Sequence, residues 1–439
     1  GTDISFWTLI AEEKANSGKN LDDKLEALKV FFGTERKRKA AIGNHRREDL
    51  LDYNNPHSLG NFVYNKGENS YINRMTKEET GEKGFNNAHK RFVPEGENAT
   101  AGNYALNILQ VPVVSTTMFQ PSDKGDIIRH NGRDYFNVYS EDSFPEIPHD
   151  WEESPIWRQF ESHIHAMVKE GGHELIQWFA HNVQRPGQRV KWAPLIYGGQ
   201  GIGKSVIGGM LRACYGDQYV KMISTEEVNE KYTDWAMGSC VGVFEEIKAV
   251  GHNRYEMENK LKTYITEANV SVRPLGKAAR NIPNATNYLA FTNYNDALAL
   301  SHDDRRWFVM EGQKLVSGRE EIFAYFAPFW DCIRDNPGII RGWLMSIDLS
   351  DFNAVIPPES TEAKKIMIGN SRNDLEQRMD DMLEHYENHE GFNTEVVLGS
   401  FFTKALKEEN RNLTPAPTQL AKAWKTLGFV KLAKKAKIR

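Results

Sequence analysis

The residues most able to do chemistry lie in one glycine-rich stretch. Gly198-Gly199-Gln200-Gly201-Ile202-Gly203-Lys204-Ser205 matches G-x-x-x-x-G-K-[ST] at every fixed position. The apolar run Pro194-Leu195-Ile196-Tyr197 precedes it, and a helical pattern from Val206 to Tyr215 follows. Glycines let successive backbone N–H groups turn inward around phosphate oxygens, where a side chain would clash. A helix N-terminus at the same point adds partial positive charge. In such a loop Lys204 would reach the β- and γ-phosphates, and the Ser205 hydroxyl would hold Mg²⁺. The stretch therefore predicts a nucleoside triphosphate site.

Hydrolysis needs carboxylates at the metal and at the attacking water. The buried-strand run Cys240 to Phe244 ends in Glu245-Glu246. Two adjacent acids there are costly in a core and useful beside Mg²⁺. We assign Glu245 to the metal and Glu246 to orienting and activating water, with the two roles exchangeable. A further apolar strand, Tyr288 to Thr292, ends in Asn293, whose amide can touch the γ-phosphate or the water. Arg305 and Arg306 come next; either can serve as a finger that stabilises transition-state charge at a neighbouring subunit's nucleotide. One of the pair can instead form a salt bridge to Asp303 or Asp304. Between the acids and the asparagine, Val270 and Val272 alternate as in a strand, and Pro274-Leu275-Gly276 makes a turn. That hairpin would carry Lys277 at its tip, flanked by Arg273 and Arg280, and could grip a DNA backbone without sequence preference.

These groups need a frame to position them. Residues 191–312 alternate apolar strands with helices, the sign of an α/β unit. Upstream, residues 156–184 place Trp157, Phe160, Ile164, Met167, Leu175, Trp178 and Phe179 at helical spacing, as a core stripe. His163, His165 and His173 in this segment lack accompanying cysteines or paired acids at ligand spacing and read as helix-surface or boundary residues rather than a zinc site. Residues 61–150 read as short strands. "NFVYNKGENSYIN" and "DIIRHNGRDYFNVY" are hairpins, the second turning on Asn131-Gly132 with two positive-φ positions. Residues 1–60 look helical. After residue 318 the pattern is helical again, Pro357-Pro358 marks a linker, and Leu375, Met379, Met382 and Tyr386 form a stripe. The last fifty residues read as two short helices and then a strand, "LGFVKLAKKAKIR", with a basic end.

Bulk properties set the limits. The chain has 439 residues, enough for several domains, and its net charge of −5 leaves room only for local basic footprints. Such clusters occur at Arg36 to Lys39 with Arg46-Arg47, and over Lys422 to Arg439. Three cysteines, Cys214, Cys240 and Cys332, are too scattered for a disulfide framework and fit a reducing cytosol. No apolar run is long enough to span a membrane. The start at Gly1-Thr2, without methionine, suggests the C-terminal part of a longer protein.

Phosphate loop, Glu-Glu strand end, basic hairpin, asparagine strand end and arginine pair fall in this order within residues 191–310. In that order they resemble the superfamily 3 helicases, and more narrowly the poxvirus-type primase–helicases of phages, plasmids and mobile elements. "LIQWFAHNVQRPGQRVKWAPLIYGGQGIGKS" looks like the segment that introduces the motor there. The resemblance implies an AAA+ P-loop core with a parallel sheet, ATP and Mg²⁺, a hexameric ring with ATP hydrolysed at subunit interfaces, and 3′-to-5′ movement on single-stranded or forked DNA. It implies a cytoplasmic protein, in the host cell if phage-encoded, that works with a primase or polymerase domain or other replication proteins. Residues 1–150 show no carboxylate constellation for nucleotidyl transfer, so no primase activity is expected of this chain.

The expected organisation is a helical segment at 1–60, a small α+β accessory domain at 61–150, a helical collar or linker at 151–190 and the ATPase core at 191–315. A helical segment at 316–390 and a basic domain at 391–439 similar to a winged helix complete it. Two other functions use the same loop. A small-molecule kinase would leave the Glu-Glu and asparagine strand ends unexplained, and a non-translocating AAA+ loader or origin-binding ATPase would hydrolyse ATP slowly and displace no strand.

Overall fold

The computed structural model describes residues 55–93, 99–247, 253–276, 278–298, 300–370, 374–385, 397–409 and 415–431. The expected helical segment over 1–60 lies almost wholly outside them, as do the Arg36–Lys39 cluster, Lys277 and Tyr386. Two compact units are present. The first holds residues 55–118 and 125–138, and the second residues 119–124 and those from 139 onward.

In the first unit, β1 (Phe62–Asn65), β2 (Ser70–Asn73), β3 (Glu79–Gly81) and β4 (Val113–Val114) form a sheet in the order β3-β2-β1-β4. Both expected hairpins form. β1 pairs antiparallel with β2, and β6 (Ile127–His130) pairs antiparallel with β7 (Arg133–Asn137). The second turns through Asn131 at φ 49° and Gly132 at φ 74°, the left-handed pair that a two-residue hairpin of this twist requires. A short strand β5 (Thr117–Met118) runs parallel to β7. Helices α1 (Glu82–His89) and α2 (Ala101–Asn107) close the small core around Phe62, Tyr71, Phe85 and Tyr104.

The second unit is built on five parallel strands: β8 (Ala193–Tyr197), β9 (Val220–Ile223), β10 (Val241–Phe244), β13 (Asn287–Thr292) and β14 (Trp307–Glu311). Their order is β14-β8-β13-β10-β9. β8, β10 and β13 are buried along their whole lengths, as expected of parallel strands covered on both faces. Successive side chains point to opposite sides. Ile196, Val241, Val243, Leu289 and Phe291 enter one core, and Leu195, Tyr197, Phe244, Tyr288 and Ala290 enter the other.

Helices α3 (Ile156–Met167), α4 (Gly172–Gln184), α5 (Lys204–Tyr215), α8 (Arg319–Asp335) and α9 (Pro337–Ser346) contribute to the first core, where Phe160, Ile164, Trp178, Leu211, Phe329 and Trp343 meet. The helical stretch expected over 156–184 is thus two helices, separated where Gly171 takes φ 84°. On the other face lie α7 (Asn253–Thr266) and α10 (Glu362–Asn370), with Leu261, Ile265 and Met367 packed beneath the sheet. Between β9 and β10 runs the short helix α6 (Thr225–Asn229), closed by a capping box between Ser224 and Glu227. The strands β11 (Asn269–Val272) and β12 (Arg280–Pro283) form a separate antiparallel hairpin.

Towards the C-terminus, α11 (Asp374–His385), α12 (Gly399–Glu409) and α13 (Pro417–Thr426) enclose a cluster of Met379, Met382, Phe402 and Leu406. The two short terminal helices are as the sequence suggests. No strand forms over residues 427–431, where the expected strand begins. Instead the Gly428 and Phe429 amides fold back onto the carbonyls of Lys425 and Trp424, which takes them out of any ladder. Among the described residues no helix is long and apolar enough to cross a membrane.

Candidate functional site

The phosphate-loop motif occupies the turn between β8 and α5. Its glycines are needed for identifiable reasons. Gly201 and Gly203 have φ of 83° and 102°, which L side chains rarely adopt. A Cβ on Gly198 would lie 2.7 Å from the Gly312 carbonyl oxygen, and one on Gly203 would lie 2.4 Å from Nε2 of His163. Helix α5 starts at Lys204, and the Gly203 carbonyl accepts from the amides of Val206 and Ile207 at 3.0 and 3.3 Å. The first amides of the helix therefore border the loop, where an anion is favoured.

Strand order brings the sequence-distant groups together. β13 lies between β8 and β10, so its end bridges the loop and the acids. The Lys204 ammonium donates to the Gly198 carbonyl at 2.9 Å, the Thr292 carbonyl at 3.4 Å and Oδ1 of Asn293 at 2.5 Å. Nδ2 of Asn293 in turn donates to Oε1 of Glu246 at 3.0 Å. Lys204, Asn293 and Glu246 thus form one chain across three neighbouring strands. Burial pulls the Lys204 ammonium below its ordinary value, and the Glu246 charge opposes that shift.

Glu245 and Glu246 are both exposed at the end of β10, and Ser205 is exposed in the first turn of α5. The Glu245 amide continues the ladder to Ile223 at 3.2 Å, and the Glu246 carbonyl accepts from the Thr225 hydroxyl. Only Glu246 of the acid pair joins the chain. The donor set suits an anionic ligand with a hard cation. Lys204 is held by neutral oxygens, and the Ser205 hydroxyl and the two exposed carboxylates are oxygen donors of the kind Mg²⁺ takes.

The arginines lie elsewhere. β14 runs parallel to β8 with Trp307 opposite Ala193 and Glu311 opposite Tyr197. Arg305 and Arg306 precede Trp307, so they sit at the amino end of the sheet while the loop leaves its carboxyl end. Five residues of strand, about 16 Å, separate the two ends, more than an arginine side chain spans. The pair is also divided. Arg306 is half-buried, with its amide on Oδ1 of Asp304 at 3.0 Å and Nη1 3.8 Å from Oδ2 of the same carboxylate. Arg305 is exposed and forms no ion pair among the described residues.

The hairpin forms as expected from its alternation, with Val270 and Val272 buried and Asn269 and Ser271 exposed. Its tip end is clasped to the segment before β10: the Thr233 amide donates to the Arg273 carbonyl at 3.1 Å, and the Arg273 amide to the Thr233 hydroxyl at 2.8 Å. Gly276 turns the tip at φ 72°. Arg273 and Arg280 are exposed, and Lys277 lies outside the described residues.

One residue beside the loop reads differently in the sequence. His163 is not on a helix surface or boundary; it is 1% exposed and lies against Gly203, with Nδ1 3.1 Å from the Tyr325 hydroxyl. Burial pushes its imidazole down to about 4, so it is neutral. Its position at i+3 from Phe160, on the same helical face as Ile164 and Met167, is the signal that could have found it.

The model of a family of unknown function (DUF5906) matches residues 196–306, the stretch from the loop strand to the arginine pair. No curated protein gives a significant sequence match. Among solved structures, the apo C-terminal region of NrS-1 is similar at a TM-score of 0.58 and 16% identity, covering 82% of this chain and 81% of that one. A second structure of that region matches over the same shares at a TM-score of 0.56 and 14% identity. These likenesses show a shared fold. An inhibitor-bound JCV helicase matches 52% of this chain and 64% of that one at 14% identity, with a TM-score of 0.27, too distant to bear on the fold.

Proposed function

We propose that this chain is the motor of a DNA helicase of the superfamily 3, poxvirus-type kind, hydrolysing ATP at sites shared between the subunits of a ring. The observation that carries the reading is the Lys204–Asn293–Glu246 chain, which joins the phosphate loop, the asparagine strand and the acid strand. In this reading Lys204 leaves Asn293 to bind phosphate oxygens. Asn293 and Glu246 hold the attacking water, and Glu246 takes its proton. Ser205 and Glu245 hold Mg²⁺, which when bound neutralises charge on the phosphates. Arg305 or Arg306 completes the site from the next subunit, because neither reaches the loop of its own chain. The hairpin with Arg273, Lys277 and Arg280 contacts the backbone of single-stranded DNA.

The test is ATP hydrolysis by the full chain, with and without single-stranded DNA, beside Lys204→Ala. Strong DNA stimulation with loss of hydrolysis in Lys204→Ala is the expected result. Hydrolysis indifferent to DNA would instead favour a kinase or a nucleotide switch built on the same loop.

A further inference from the structure

The arginine turn is held by a residue far along the chain. Lys364, in the first turns of α10, is 6% exposed, yet its ammonium is placed on one short segment. It donates to the carbonyls of Asp304 at 2.5 Å and Trp307 at 2.9 Å, and lies 3.6 Å from Oδ1 of Asp304. That carboxyl oxygen also accepts from the amides of Arg306 and Trp307 at 3.0 and 3.1 Å. The helix that carries Lys364 is itself stapled to the sheet. The Thr361 hydroxyl donates to the Val309 carbonyl at 2.5 Å and accepts from the Lys364 amide at 3.1 Å. Residues 304–307 are therefore gripped on both backbone and side chain, and Arg305 is the member of the turn that is left exposed.

A buried ammonium is costly unless its hydrogen bonds are met. Leucine or methionine would fill the same volume without that cost, so the lysine needs a reason beyond packing. We propose that Lys364 and Asp304 form a lock that aims Arg305, and Arg305 alone of the pair, at the nucleotide of a neighbouring copy of this chain. Arg306 is committed to Asp304 and serves the lock. Lys364 is then a positioning residue, lying outside the stretch of 191–310 that carries the recognisable motifs. It ties the helical region beyond the Pro357-Pro358 segment to catalysis in the adjacent subunit. The inference rests on the shared-site reading above.

The experiment compares Lys364→Met and Arg305→Ala in the full chain, measuring kcat and KM for ATP with single-stranded DNA present. Lys364→Met should lower kcat about 10- to 100-fold, the scale of a misplacement of roughly 1 Å, with KM for ATP within about twofold because the phosphate loop is intact. Co-assembly with Lys204→Ala subunits, which have an intact arginine turn, should raise activity above that of either variant alone. Asp304→Asn keeps the acceptor for both backbone amides and removes the charge. It should show the same split between kcat and KM, and it carries the test if Lys364→Met does not fold. Folded Lys364→Met and Asp304→Asn with parental kcat would overturn the lock while an impaired Arg305→Ala upheld the shared site. Parental kcat in Arg305→Ala as well would overturn the shared site itself.

Discussion

The two ends of the parallel sheet handle charge in opposite ways. At the carboxyl end Lys204, Asn293 and Glu246 form a half-open chain, with the ammonium held by neutral oxygens and both acids exposed. At the amino end Asp304 and Lys364 form a buried pair, with side chains 1% and 8% exposed, and Arg306 lies beside it with Nη1 3.8 Å from Asp304. A site that must admit a polyanion keeps its cation loosely paired, because every strong internal partner would have to be displaced on binding. A site that must present a cation to another molecule gains from rigidity, because its geometry has to be right before the partner arrives. On the proposed shared-site reading, one end receives the nucleotide and the other delivers the arginine.

The largest effect should separate the two arginines. Arg305→Ala should reduce DNA-stimulated turnover on the order of 10³-fold, the lower range for a finger, and leave the melting temperature unchanged. Arg306→Ala should lower the melting temperature and reduce turnover less. The reverse pattern, read from steady-state kinetics beside thermal melts, would make Arg306 the delivered group and the buried pair a support for nothing.

Acid should weaken the carboxyl end through its floor. Burial pushes His163, which lies against Gly203, down to about 4, against an unfolded value of about 6.5. Between those values the unfolded chain binds protons that the folded chain refuses. The stability this histidine contributes is therefore complete above about pH 6.5 and lost as the pH falls toward 4, on the order of 3 kcal/mol. His163→Gln does not titrate and should show a shallower loss in denaturant melts from pH 7 to 4. An unchanged slope would remove His163 from the account.

The smallest effect concerns the hairpin, which belongs to neither end. Replacing Arg273 and Arg280 together by alanine should leave basal hydrolysis intact. It should reduce the salt dependence of single-stranded DNA binding by about 1.4 in log–log slope, two phosphate contacts' worth. Fluorescence anisotropy over a salt series measures it, and an unaltered slope would show that the hairpin does not track the backbone.

Much of the candidate site was legible in the residues. The loop, the acid pair and the asparagine each follow a fully buried strand, and a buried parallel strand cannot hide a charged or hydrogen-bonding site among its interior positions. The two hairpins of the first unit and the basic hairpin were legible for the same kind of reason, through alternation and turn glycines. No strand forms over residues 427–431, where the expected one begins, because the Gly428 and Phe429 amides are taken by carbonyls of α13.

What the sequence alone determined was the inventory: which residue types stand at strand ends, and which glycines leave room for a phosphate. Those constraints are local, set by backbone geometry and side-chain type within a few residues. Tertiary structure decided the partnerships. It placed β13 between β8 and β10 so that Asn293 joins Lys204 to Glu246, set the arginines at the far end from their own loop, buried His163 under Gly203, and brought Lys364 to Asp304. Each of these depends on strand order and register between segments tens of residues apart, which no local pattern encodes, because contacts at that separation are settled only when the two faces of the sheet are covered.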